Sequence, residues 1–268
     1  MNPKIWGRPG WTMFFSIVTN YPENPNLTDM NNYKIFFTDV QYILPCQICC
    51  ENYTDHLRQI PIEPYLANRK SLFAWLLKIH NEVNKHQKKP PMTESNILSK
   101  YLIKNKTNIN GYFQHLEYSI WKFIFSIAYG YPQNPSKHDM FYYKRFFHYL
   151  QFVFPDPIAQ KHYSRLLINL GIDGYLNNSE DLFAWVANIY NGINTKINQP
   201  TLTVESAKKF FFPELYPSTA HYKQKLPTTY ISAPNSQTSD RTNILQSNIS
   251  IALVILFLTS LIYRKCWS

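Results

Sequence analysis

The sequence predicts an all-α protein: two tandem five-helix bundles, then a linker, then one C-terminal transmembrane helix. Three observations carry this reading: an internal repeat, apolar residues at helical spacing in each copy, and a change of composition near residue 213. Shifting the chain by 110 residues aligns Trp11, Phe15, Ser16 and Ile17 with Trp121, Phe125, Ser126 and Ile127. The same shift aligns Leu72-Phe73-Ala74-Trp75 with Leu182-Phe183-Ala184-Trp185, and 32 of 83 positions match between 11–93 and 121–203. An ungapped match of that length means two copies of one folded unit. With 7 glycines and 16% aromatic residues, the chain suits packed helices better than a turn-rich sandwich.

In the first copy, Pro9 stands near the start of a helix whose apolar residues run through Val18. Tyr21-Pro22 and Asn24-Pro25 end it, because the residue before a proline is pushed out of the α region. Asp29 is placed to cap a second helix that turns Tyr33, Phe36, Phe37, Val40 and Ile43 inward. Pro45 opens a third, running to about Arg58. Ser71 caps a fourth, with Leu72, Trp75, Leu76, Ile79 and Val83 on one stripe, and Thr93 to Tyr101 makes a short fifth. The second copy repeats the plan from about His115 to Phe212. Trp11–Val18 behind Lys4 and Arg8 has the outline of a signal sequence, but it recurs mid-chain as Trp121–Ala128 and reads as a folded helix.

The expected domains are therefore 1–105, a catalytic bundle; 112–212, a degenerate bundle; 213–243, a linker rich in Pro, Ser, Thr, Asn and Gln; and 244–263, a membrane helix. The apolar run Ile249–Tyr263 is extended from Ile244 to reach the roughly 20 residues a span needs. A net charge of +10 permits a nucleic acid, an anionic lipid or a phosphate-bearing cofactor as partner. The basic residues are scattered, which favours a solvated surface and no nucleic acid.

Three of the four cysteines, Cys46, Cys49 and Cys50, fall within five residues. Pro45-Cys46-Gln47-Ile48-Cys49 sets two thiols one turn apart at a helix start, where the dipole favours a thiolate. Half a zinc site is the alternative, but the sequence holds no second CxxC or HxxxH, so no metal is expected. Cys50 points away from that face and reads as a small buried hydrophobe.

The second copy acts as a control. Asp156 and Ala159 replace Cys46 and Cys49, while Tyr190, Thr195 and Gln199 replace His80, Lys85 and Lys89. The losses fall on thiols, an imidazole and two ammonium groups, so one working site and one retired site are expected. His80 and Asn84 share a helix face, which Lys85 and Lys89 extend. An imidazole and amides can hold an adenine, and lysines neutralise a pyrophosphate.

Trp6-Gly7-Arg8-Pro9-Gly10-Trp11, Leu44-Pro45-Cys46-x-x-Cys49, His80-Asn81-x-Val83-Asn84 and Lys89-Pro90 together resemble the Erv/ALR sulfhydryl oxidases, in particular those of large DNA viruses such as iridoviruses and mimiviruses. The resemblance covers residues 6–100 and implies a small helical bundle holding FAD against the CxxC and passing electrons to oxygen, with hydrogen peroxide as product. By the same resemblance Cys49 faces the flavin and Cys46 exchanges with the incoming thiol. Arg8, Trp11, Phe15, His80, Asn81, Val83, Asn84, Lys85 and Lys89 are then the FAD-lining residues. Phe15 departs from the family, which has His there. The family's second, shuttle cysteine pair is missing, and Cys266 is single. Family members commonly pair two bundles, so the tandem copies are expected to form a pseudo-dimer within one chain.

The expected function is thus an FAD-linked thiol oxidase that takes electrons from a thiol-bearing protein of thioredoxin-like type. The rival is a non-enzymatic, membrane-tethered helical scaffold. Without a signal peptide the catalytic part is expected to face the cytosol or virion interior of an infected cell, although Arg264-Lys265 argues the other way.

Overall fold

The computed structural model describes residues 1–102 and 109–216. Among these there are ten α-helices and no strand. The first copy holds α1 (Pro3–Thr19), α2 (Leu27–Ile43), α3 (Gln47–Gln59), α4 (Arg69–His86) and α5 (Glu94–Ile97). The second holds α6 (Ile109–Tyr129), α7 (Lys137–Val153), α8 (Pro157–Asn169), α9 (Ser179–Lys196) and α10 (Val204–Phe211). Two five-helix copies are therefore present, and a π-helical turn over Leu98–Leu102 continues α5.

The helix starts differ from the sequence reading, and at α2 and α4 the reason is the same: an asparagine three positions upstream takes the cap. Asn26, not Asp29, caps α2, while Asp29 returns a bond to the Asn26 N–H as the third residue of a capping box. Asn68, not Ser71, caps α4. Helix α1 begins at Pro3 behind Asn2, which leaves Pro9 inside it. Helix α3 begins at Gln47 with Cys46 as its N-cap, two residues beyond Pro45.

Both cores are built alike. Trp75 packs edge-on against Phe37 at 5.2 Å and donates to the Ile60 carbonyl. Trp185 does the same with Phe147 at 5.0 Å and the Leu170 carbonyl. Tyr21 and Tyr131 donate to Leu66 and Leu176, and Tyr53 and Tyr163 to Phe37 and Phe147. Each phenol brings a large apolar surface inside and satisfies its buried hydroxyl by donating to a backbone carbonyl. Of the fourth-helix stripe, Leu72, Trp75, Leu76 and Ile79 are buried, whereas Val83 is half-buried.

The copies meet through equivalent helices, α1 on α6 and α2 on α7. Phe36 stacks at 5.1 Å on Phe146, its own counterpart, and Tyr42 stacks on Tyr142 at 3.7 Å. Between them Arg145 grips the fully buried Asp39 with two N–H groups, Nε at 2.6 Å. Burial raises the Asp39 pKa and the guanidinium opposes that rise.

Packed structure continues past the expected linker start at 213. The Leu215 and Tyr216 N–H groups bond the Phe212 carbonyl, and Glu214 accepts from the buried Lys122 at 2.8 Å. The rest of the linker, the 244–263 membrane helix and Cys266 lie outside the described residues. Within the described residues no helix is long and apolar enough to cross a membrane.

Arg145→Ala strands a buried carboxylate and is expected to cost about 3 kcal/mol. Adding Asp39→Asn should recover much of that in denaturant unfolding. A cost below about 1 kcal/mol for Arg145→Ala would contradict the pairing.

Candidate active site

The Leu44-Pro45-Cys46 turn presents a disulfide between Cys46 and Cys49 at the start of α3. The Cys46 N–H bonds the Leu44 carbonyl at 2.7 Å, and the Cys49 and Cys50 N–H groups bond the Cys46 carbonyl. No carboxylate stands in the first turn of α3, and no side chain caps it. The second copy shows what that position favours. There Asp156 is the N-cap of α8, and its carboxylate accepts the Ala159 N–H at 2.7 Å. A helix terminus favours an anion at that position, which in α3 is held by Cys46.

Cys50 is half-buried and donates its thiol to the Leu44 carbonyl at 3.3 Å, so it is more than an apolar filler. Burial pushes its pKa to about 11, with the Leu44 contact opposing.

Helix α4 packs on both α1, which carries Trp11, and α3, which carries the disulfide. His80 lies in that region, buried, 4.7 Å centroid to centroid from the Trp11 ring. Its Nε2 lies 3.1 Å from the Tyr101 hydroxyl, and its buried Nδ1 has no partner. Burial first, then the Lys100 and Lys89 charges, lower its pKa to about 4, while neighbouring Asn81 pulls the other way without completing a bond to Nδ1. The ring is therefore neutral near pH 7. Lys100 in turn has its pKa lowered by burial and by the charges of Lys89 and Arg8. The Lys89 and Lys100 charges thus both act on the imidazole and the Arg8 charge on Lys100, and among the described residues none of the three cations is ion-paired with a carboxylate. Such a cluster calls for an anion, and the orphaned Nδ1 for a polar ligand atom.

Sequence reasoning missed Lys100 and Tyr101. The 110-residue shift held the signal, since Arg8 becomes Tyr118, Lys100 becomes Phe210 and Tyr101 becomes Phe211. In the second copy those rings close on one another. Tyr118 packs at 5.5 Å on both Phe210 and Phe211, and Tyr190 at 5.1 Å on Trp121 and 5.7 Å on Phe211. The cations of the first site are replaced there by aromatic packing.

Four expected ligand-lining residues have other duties. Asn81 spends its amide on the Met92 backbone in both directions, and Asn84 donates to the Pro90 carbonyl. Asn191 and Asn194 make the same bonds in the second copy, which has lost the thiols and the imidazole, so these amides hold the loop after α4. Phe15 is fully buried among Phe73, His80 and Tyr101, as Phe125 is in its own copy, and belongs to the core. Lys85 and Lys89 do not share a face. Helix α4 ends at His86, Lys88 turns the chain with φ 54°, and Lys85 pairs with Glu82 at 3.3 Å while its charge acts on His56. Trp11 and His80 meet ring to ring at 4.7 Å, and the Lys89 charge acts on His80. An open cavity of about 340 Å³ beside Phe141, Lys144 and Asp173 lies in the second copy and includes none of these residues. No group of metal ligands is present among the described residues.

The family model described as Erv1/Alr matches residues 8–102 and 118–213, one match in each copy. A probable FAD-linked sulfhydryl oxidase of Acanthamoeba polyphaga mimivirus is 39% identical over 94 residues, 35% of this chain and 66% of that protein. The mitochondrial FAD-linked sulfhydryl oxidase of Saccharomyces cerevisiae is 31% identical over 84 residues, 31% of this chain and 43% of its own length. That of Schizosaccharomyces pombe is likewise 31% identical over 84 residues, covering 31% and 46%. The match therefore spans less than half of either yeast protein. No solved structure matches.

With the disulfide reduced, Cys50 stays protonated through neutral pH. Iodoacetamide at pH 8 is expected to label Cys46 first and spare Cys50 in the folded protein. Equal labelling of the two, read by peptide mass, would contradict the assignment.

Proposed function

The chain belongs to the Erv1/Alr family, and from that premise we propose that it is an FAD-linked sulfhydryl oxidase working at Cys46 and Cys49 of its first copy. The observation that carries the reading is the contrast between copies. The disulfide, the neutral imidazole and the three cations exist together in one copy, and the other has a carboxylate cap and aromatic rings in their place. A non-enzymatic scaffold gives no reason for that pairing of gains and losses.

The residues fit FAD. Trp11 and His80 offer ring faces and an unpaired Nδ1 to its aromatic parts, and Arg8, Lys89 and Lys100 offer charge to its pyrophosphate. When bound, the flavin supplies the two-electron acceptor and the route to oxygen. The chain's own steps are thiol exchange. A substrate thiolate attacks the Cys46 sulfur, the Cys46–Cys49 bond breaks, and its electron pair leaves on Cys49. A second substrate thiolate then attacks the substrate sulfur of the mixed disulfide and releases Cys46 as a thiolate. The substrate has lost two electrons and the pair has gained them. The start of α3 favours the released thiolate, because its terminus is positive and carries no competing carboxylate. Cys50 stays out of the exchange as a buried, protonated thiol.

The sequence holds no second CxxC, so the proposed electron donor is a separate protein with its own thiol pair, of thioredoxin-like type. The apolar run within 244–263 supports a membrane tether for the oxidase, with its catalytic part in the cytosol or virion interior.

Thiol-driven oxygen uptake by the purified chain tests this reading. Cys49→Ser leaves no disulfide for the substrate thiolate to attack and should abolish uptake, whereas Cys50→Ser should retain most of it. Uptake that survives Cys49→Ser, or that is lost in Cys50→Ser, would contradict these roles.

A further inference from the structure

The turn that carries Cys46 is held from both sides, and half of the hold comes from the second copy. Within the turn, the Leu44 carbonyl accepts the Cys46 N–H and the Cys50 thiol. One residue earlier, the Ile43 carbonyl accepts the hydroxyl of Tyr143, a buried residue of α7, at 3.4 Å. One residue later, Pro45 meets Gly130, which follows the last turn of α6. A Cβ added at Gly130 would overlap the Pro45 Cβ and lie 2.9 Å from its Cα. The Gly130 N–H is spent on the Ser126 carbonyl, so its backbone is fixed in that approach.

The local two-fold relation supplies a reference. Gly130 and Pro45 correspond to Asn20 and Pro155, and there the first copy holds the second copy's turn through a side chain, Asn20 Nδ2 to the Pro155 carbonyl at 3.0 Å. The turn without thiols is therefore held by a polar side chain, and the turn with thiols by direct contact of glycine with the proline ring.

We propose that the second copy is a positioning element for the redox pair: Gly130 and Tyr143 fix the residues on either side of Leu44 and thereby set the geometry that Cys46 adopts in its oxidised and reduced forms. The proposal rests on the oxidase reading of Cys46 and Cys49. Closing the disulfide brings the two sulfurs to bonding distance, and opening it requires them to part. A turn clamped at Ile43 and Pro45 confines that movement to the two side chains and the start of α3. Whatever loosens the clamp changes the relative free energy of dithiol and disulfide, and so the exchange equilibrium. On this account the second copy serves catalysis through Cys46 without touching substrate.

The test measures the equilibrium of the Cys46–Cys49 pair with dithiothreitol in the full chain, by acid quench, thiol trapping and mass. Folded fraction and bound flavin are recorded for each variant. Gly130→Ala should shift the exchange constant by about tenfold, equivalent to ~30 mV for a two-electron couple, and Tyr143→Phe by a smaller factor in the same direction. Asn20→Ala, which loosens the opposite turn, should lower stability and leave the constant at the wild-type value. If Gly130→Ala does not fold, Tyr143→Phe decides, and a wild-type constant in that variant overturns the proposal. An equal shift in Asn20→Ala also overturns it, because the effect is then a general loosening between the copies. A wild-type pair that never exchanges with dithiothreitol would remove the oxidase reading itself, and that result is seen before any variant is made.

Discussion

Helix α2 lies against helix α7 along faces that descend from the same repeated sequence, and the placement of everything else follows from that contact. Phe36 on Phe146 puts equivalent rings together, which makes the interface self-complementary in the manner of a two-fold dimer. Tandem duplication also allowed the two faces to diverge. Asp39 has Tyr149 as its counterpart, and Ile35 has Arg145. The buried ion pair between Asp39 and Arg145 can therefore exist in one sense only, so each copy is specified for the other. Two identical subunits could not divide the work in this way.

Division of work appears again at the two helix starts that face the former and present sites. A helix N-terminus favours negative charge, and the copies differ there: α8 is capped by the Asp156 carboxylate, whereas α3 starts at the Cys46–Cys49 disulfide with no side-chain cap. The ring clusters tell the same story at the cofactor end. Where the first copy has the neutral His80 and the cations Arg8, Lys89 and Lys100, the second has Tyr190, Tyr118 and Phe210 packed as aromatic surface, and Gln199 in place of Lys89. A ligand-binding unit holds polar groups in reserve for its ligand, and a purely structural unit is free to exchange them for core.

Much of this was legible in the sequence because the repeat works as an internal alignment. The helices, the buried stripe of α2, the redox pair and the lost imidazole all follow from comparing residue with residue at the fixed offset. The errors had physical causes. Asp29 and Ser71 looked like caps because their residue types suit a cap, yet Asn26 and Asn68 lie one turn earlier and accept the N–H groups of Asp29 and Ser71 themselves. Lys85 and Lys89 looked like neighbours on a helix, but the left-handed turn at Lys88 ends that geometry. Asn81 and Asn84 were read as ligand contacts although both persist in the second copy, which is the mark of a scaffold role. Lys100 stands beyond the compared window of 11–93 and in no recognisable motif; its exchange for Phe210 shows only when the same offset is carried past residue 93.

The central claim is that one chain holds one working cofactor site, in its first copy, and that the second has been filled. The flavin-to-protein ratio of the full chain, saturated with FAD and freed of excess by gel filtration, measures this directly through the visible flavin band. The account predicts one flavin per chain, lost on replacing Arg8, Lys89 and Lys100 together and unaffected by Tyr190→Ala. Two flavins per chain, or a single flavin that survives the triple replacement, would contradict it.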